Sequence, residues 1–290
     1  MSGADLRLTT AEQAQQGAAA SLDALGVAHG DTRRLQALPF ETLLAAQATM
    51  EAADRARGEA PRSFSPSRDG DILPRDPFDP DAPAVSASVP LIVSNVLDER
   101  AYRMSNFDLT EAGLRAFIAR RVGDARADEA LALYRRADPT ATPFVLQARF
   151  DTDELFRKPS LIMTERKAAQ AAAGGAPVWS YLWREPTPAY GGRYGTPHGS
   201  DVGLSLHDVR GGLNSTNPET IKLADQIASC WVAFAATGDP NSRTILRWPA
   251  YKVPQRATLV FGPDAHVEDD PRGEFRRFWE SEPPKAAGAR

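Results

Sequence analysis

A single cysteine, Cys230, stands in 290 residues, so no disulfide closes within the chain. No apolar run approaches the roughly 20 residues that a helix needs to cross a bilayer. The opening stretch, MSGADLRLTTAEQ, is polar and has no apolar signal core. Neither sign of charge dominates. The 34 Lys and Arg against 38 Asp and Glu leave a formal net charge of −4, with the signs interspersed, which argues against nucleic acid and anionic membrane as partners. No repeat of solenoid length is visible. Histidine is scarce, at four residues, and two of these, His198 and His207, share one glycine-rich stretch, GGRYGTPHGSDVGLSLHD (191–208).

The residues that are plentiful describe a folded α/β protein. Apolar residues make up 42% and charged residues 25%, and the length suits one large α/β domain or two small ones. Residues 10–57 predict helices, with Thr9 or Thr10 as the first cap. From Pro61 to Pro90 the density of Pro, Asp and Gly predicts a long loop. VPLIVSNV (89–96), APVWSYLW (176–183) and ATLVFG (257–262) predict three strands, the first a β-branched run of the kind buried on both faces of a parallel sheet. Helices are expected over 109–136, in LFRKPSLIMTERKAAQAAAGG (155–175) and in PRGEFRRFWESE. The clearest is NPETIKLADQIASCWVAFAATGDP, with Asn217 as cap, Pro218 in the first turn and Gly238 as terminator. Ile221, Ala224, Ile227, Trp231 and Phe234 mark its inward face, with Cys230 beside that face as a buried thiol. Strands alternating with helices predict a parallel sheet. Three such strands with apolar edges make a poor free-standing sheet, which suggests missing structure.

Ligands bind beyond the carboxyl ends of strands in open parallel sheets. VPLIVSNV runs into LDER, which puts Asp98 and Glu99 just past the first strand. The second strand is followed by the loop bearing His198. A carboxylate and an imidazole on such ends can meet, the acid accepting the ring N–H and stabilising the imidazolium that forms. The residues also admit plainer roles: a solvated loop charge for Glu99 and a satisfied loop histidine for His198. A metal site of His198, His207 and Asp201 or Asp208 is conceivable, although the spacing matches no standard zinc pattern. His29 and His266 sit in polar loops and are assigned no role.

Taken in order, several segments resemble the type B carboxylesterases, the branch of α/β-hydrolases that includes para-nitrobenzyl esterases and cholinesterases. SGADLRLTTAEQ resembles the segment just after the nucleophile-elbow helix, and RDGDILPRDPFD the DG-x-x-L-P stretch. VPLIVSNVLDER resembles the strand and turn that carry the catalytic acid, and TPHGSDVGLSL the catalytic His-Gly segment. WVAFAATGDPNS…WPAY, ATLVF and FRRFWES are similar to the C-terminal block. The resemblance implies an α/β-hydrolase fold, Glu99 as catalytic acid, His198 as base, and no cofactor or metal. It departs from the family at Ser94 and Arg100, where glycines flank the acid turn, and at Gly203, Leu204, Ser205 and Leu206, which replace Pro-Phe-Val-Phe.

The family nucleophile sits in G-x-S-x-G. No serine here has glycine two residues away on both sides; Ser200 has His198 and Val202. The resemblance therefore implies the C-terminal portion of a carboxylesterase domain over 1–290, comprising an acid turn near 98–100, a His loop at 191–208 and a block at 217–280. The upstream half would hold the serine, the oxyanion loop and most of the sheet. On that reading the chain is inactive alone, and its small-molecule ester substrate binds only once the missing half completes it. The alternative is a non-catalytic carboxylesterase-like remnant or interaction module.

Overall fold

Thr10 caps the first helix. Its hydroxyl accepts from the Gln13 N–H at 3.2 Å, and the Gln13 side chain accepts from the Thr10 N–H at 3.0 Å, as T-x-x-Q ahead of an alanine-rich run favours. The helix is α1 (Ala11–Leu25), followed by α2 (Thr32–Gln36) and α3 (Phe40–Ala56). The computed structural model describes residues 1–58, 64–245 and 247–282, and these three helices belong to a unit of their own, Asp5–Pro80. From residue 64 onward that unit is irregular. Pro61, the expected start of the long loop, lies outside the described residues.

The second unit, Met1–Ala4 with Asp81–Glu282, holds the sheet. β1 (Leu91–Val96) is followed by four helical segments: α4 (Glu111–Val122), α5 (Asp124–Ala137), α6 (Pro143–Thr152) and α7 (Lys158–Ala172). A π-helical turn, Asp153–Arg157, joins the last two. β2 (Val178–Trp183) then pairs parallel with β1, from Leu91 opposite Val178 to Val96 opposite Trp183. After the short α8 (Val202–Ser205) and the long α9 (Pro218–Thr237), β3 (Ala257–Phe261) pairs parallel with β2. These are the three expected strands. A fourth, β4 (His266–Asp269), is antiparallel to β3 and was not expected. Its residues, His-Val-Glu-Asp, are mostly polar, exposed at both ends and half-buried between, so no hydrophobic pattern marks them. They give the sheet a short, charged outer edge. α10 (Gly273–Glu280) completes the unit, and among the described residues no helix is long and apolar enough to cross a membrane.

Buried hydrophobic clusters hold this unit together, among them one on the sheet and one among the helices. On one side of the sheet, Ile92, Trp179, Tyr181, Trp183 and Phe261 pack against Leu223, Ala224, Ile227 and Cys230 of α9. Asn217 caps α9, its side chain accepting from the Thr220 N–H at 2.8 Å, and Gly238 ends it at φ +77°, a left-handed conformation that suits glycine. The inward face of α9 differs from the expected one. Ile221 is 39% exposed, and Cys230 lies within the buried stripe rather than beside it. The second core joins α4, α5, α6 and α10 through Leu114, Ile118, Tyr134, Leu146, Phe150, Phe275 and Trp279.

α6 was absent from the expectation, which began the helical region at Leu155. Its start signal is Thr142-Pro143. The Thr142 hydroxyl accepts from the Val145 N–H at 3.3 Å, and proline occupies the first turn, where its missing N–H costs nothing.

Candidate active site

The turn after β1 is set by hydrogen bonds to the next strand and loop. Leu97 N–H donates to the Trp183 carbonyl at 3.0 Å, and Asp98 N–H donates to the Thr196 carbonyl at 3.0 Å. The chain then tightens into a 3₁₀ turn, Glu99–Arg103. Glu99 is completely buried. One of its oxygens accepts from the Val96 N–H at 3.0 Å, and the other lies 2.6 Å from Nδ1 of His198. The two residues expected to meet across the strand ends do so.

An ionised carboxylate only accepts, so this contact places the imidazole proton on Nδ1 and leaves the Nε2 lone pair free for proton transfer. The His198 side chain is 45% exposed, so a proton donor can approach from solvent or from another polypeptide. Burial raises the Glu99 pKa above the ordinary value. The Val96 N–H and His198 pull the other way, and the negative charge of Asp201 adds to the rise. The bond to Nδ1 is thus the compensation for holding a carboxylate out of water.

Tyr102 covers one side of the imidazole, with its ring centroid 5.1 Å from that of His198 and the planes 26° apart. In a 3₁₀ turn residues i and i+3 share a face, so Glu99 brings Tyr102 with it. That spacing is readable in D-E-R-A-Y, and the sequence reading passed over it. Phe156, on the π-helical turn, lies 6.4 Å from the imidazole between ring centroids.

Asp98 is equally buried but faces elsewhere. Arg149 of α6 holds it with two bonds, Nε to Oδ1 at 2.8 Å and Nη2 to Oδ2 at 3.3 Å, and the Thr196 N–H donates to Oδ2 at 2.9 Å. Asp98 is therefore engaged, and Glu99 is the acid available to His198. Arg149 also meets Asp138 at 3.0 Å, and the two carboxylates hold its pKa above the ordinary arginine value despite the cost of burial.

The alternative metal cluster does not form. Asp201 accepts from the Tyr181 hydroxyl at 2.8 Å, Asp208 pairs with Arg210 at 2.8 Å, and His207 Nε2 lies 2.7 Å from Asp225. Among the described residues no three His, Cys, Asp or Glu side chains gather to hold an ion. Ser200, the serine nearest His198 in sequence, is completely buried. His29 pairs with Asp23, and His266 contacts the Asp264 carbonyl, both away from this pair in sequence and both exposed.

The model of the carboxylesterase family matches residues 1–279. The para-nitrobenzyl esterase of Bacillus subtilis is 28% identical over 283 residues, covering 93% of this chain and 54% of its own length. A phenmedipham hydrolase of Pseudarthrobacter oxydans is 22% identical over 246 residues, covering 81% of this chain and 47% of its own. A solved carboxylesterase of Geobacillus stearothermophilus superposes with a TM-score of 0.70 at 28% identity, over 94% of this chain and 55% of that one. The chain thus spans about half the length of the curated relatives it matches. Its mixed sheet flanked by helices is of the α/β-hydrolase class to which these esterases belong. With a match that runs almost from end to end, this chain belongs to the carboxylesterase family.

Proposed function

We propose that the chain is the C-terminal portion of a carboxylic-ester hydrolase that works by serine acyl transfer, and that Glu99 and His198 are its acid and base. The attacking hydroxyl and the oxyanion donors come from polypeptide outside these 290 residues, and the substrate is a small-molecule ester. One observation carries the reading: a fully buried Glu99 holds Nδ1 of a half-exposed His198 at 2.6 Å and leaves Nε2 outside that bond.

The chemistry follows from that geometry. A serine hydroxyl within reach of Nε2 passes its proton there as its oxygen attacks the ester carbonyl. Glu99 stabilises the imidazolium without taking the proton. The tetrahedral intermediate collapses as His198 returns the proton to the leaving alkoxide, and the acyl-enzyme remains. Water repeats the sequence, losing a proton to Nε2 and releasing the acid. Each step needs an imidazole held in one tautomer, and the buried carboxylate on Nδ1 supplies that.

The coding sequence is the test. A G-x-S-x-G segment is expected in frame upstream of Met1 or in an adjacent complementary gene. If neither exists, the reading fails. A second reading, a non-catalytic carboxylesterase-like module, draws support from β4, which gives this half a finished, charged sheet edge. A purified chain that is a monodisperse monomer with one cooperative thermal transition would favour that module.

A further inference from the structure

Resting on the acid–base reading above, we propose that Asp98 and Arg149 are positioning residues that set the distance between Glu99 and His198. Asp98 precedes Glu99 by one residue, and Thr196 precedes His198 by two. Both backbone groups of Thr196 are tied to Asp98: its carbonyl accepts from the Asp98 N–H at 3.0 Å, and its N–H donates to the Asp98 carboxylate at 2.9 Å. A parallel bridge between Asp98 and Pro197 extends the same register to the residue before His198. The acid turn and the histidine loop are therefore joined by a short piece of sheet with one side-chain bond added.

Arg149 holds that junction still. Its planar guanidinium grips both oxygens of Asp98, which fixes the carboxylate in orientation as well as in place. A third bond, to Asp138 at 3.0 Å, fixes the guanidinium in turn. Arg149 rides on α6 between Ala148 and Phe150, both completely buried, so the clamp is anchored in the helical core. A buried ion pair contributes little net stability compared with apolar packing of the same volume, so geometric definition is the better explanation for burying one here.

Gly195 is fitted to the same contact. It has φ +65°, where a side chain is strained, and a Cβ there would overlap the Asp98 carboxylate. The loop passes as close to Asp98 as a backbone can. Asp98 and Arg149 make no hydrogen bond to the imidazole, so they act through Glu99 and the loop.

The test reads the imidazole directly, in the 290-residue chain and without turnover. With histidine nitrogens labelled, nuclear magnetic resonance of the unsubstituted chain is expected to show a hydrogen-bonded Nδ1 proton, distinct from that of His266 at the Asp264 carbonyl, which Glu99→Ala removes and so assigns to His198. Asp98→Asn and Gly195→Ala, both still folded by circular dichroism, are expected to lose that resonance. Ile227→Ala, which loosens the α9 core at a buried site in a cluster that holds no residue of α6, is expected to keep it. If Asp98→Asn does not fold, Gly195→Ala decides. Retention of the resonance in the folded clamp variants overturns the clamp and leaves the acid–base reading standing, and so does its loss in Ile227→Ala. Absence of any such resonance from the unsubstituted chain overturns the acid–base reading and the clamp with it.

Discussion

Asp98 and Glu99 are consecutive, both carboxylates and both completely buried, yet they serve different partners: Arg149 takes the first and His198 the second. The 3₁₀ turn that begins at Glu99 sends the two side chains in different directions. The division has an energetic consequence. Arg149 is itself buried, so Asp98→Ala leaves a guanidinium with one of its two carboxylates gone. We expect a loss of about 3–5 kcal/mol in denaturant unfolding. A loss near zero would mean that the pair is not formed.

The pH dependence of stability isolates Glu99. Its pKa is raised in the folded chain, chiefly by burial, so the native state binds the proton more tightly than the unfolded state does. The stability this residue contributes is complete below the ordinary glutamate value and is lost as pH rises through the raised one. Glu99→Gln has no such ionisation. The unsubstituted chain should therefore lose thermal stability relative to Glu99→Gln as pH climbs from the ordinary glutamate value through the raised one. A relative gain over that interval would contradict the burial of an ionisable Glu99.

Cys230 offers a chemical check on the α9 core. Burial pushes its thiol up to about 12, and only 2% of the residue is exposed. The thiolate is the reactive form, so a disulfide reagent at mildly alkaline pH should leave the native chain untouched and titrate one thiol in denaturant. Rapid reaction in the native state would show that α9 does not pack as described.

Phe150 tests the helical core that carries Arg149. It is completely buried and lies 4.9 Å from Trp279 and 5.5 Å from Tyr134, centroid to centroid. Phe150→Ala should cost about 3–5 kcal/mol in unfolding free energy. A change below roughly 1 kcal/mol would mean that α6 is not seated between α5 and α10.

What could be read beforehand follows the strength of the local signal. β1, β2 and β3 are short apolar runs between loops, and α9 carries a cap, a first-turn proline and a terminating glycine, so all four were legible. β4 was not, because a mostly polar edge of His-Val-Glu-Asp carries no apolar pattern. α6 was missed although Thr142-Pro143 marks its start, because nearly every residue in it is buried and no amphipathic stripe stands out. Arg149 was missed with it. For the site, strand ends brought a carboxylate and an imidazole into the same region, but chain position alone does not separate Asp98 from Glu99. The resemblance selected Glu99, and the tertiary claim of Arg149 on Asp98 explains that choice.

The most direct measurement is hydrolysis of p-nitrophenyl acetate by the purified 290-residue chain. On the proposed reading, in which the serine and oxyanion donors lie outside these residues, turnover should be negligible and no greater in the unsubstituted chain than in His198→Ala. Robust turnover that His198→Ala abolishes would mean that the attacking group lies within these residues, and would contradict the central claim.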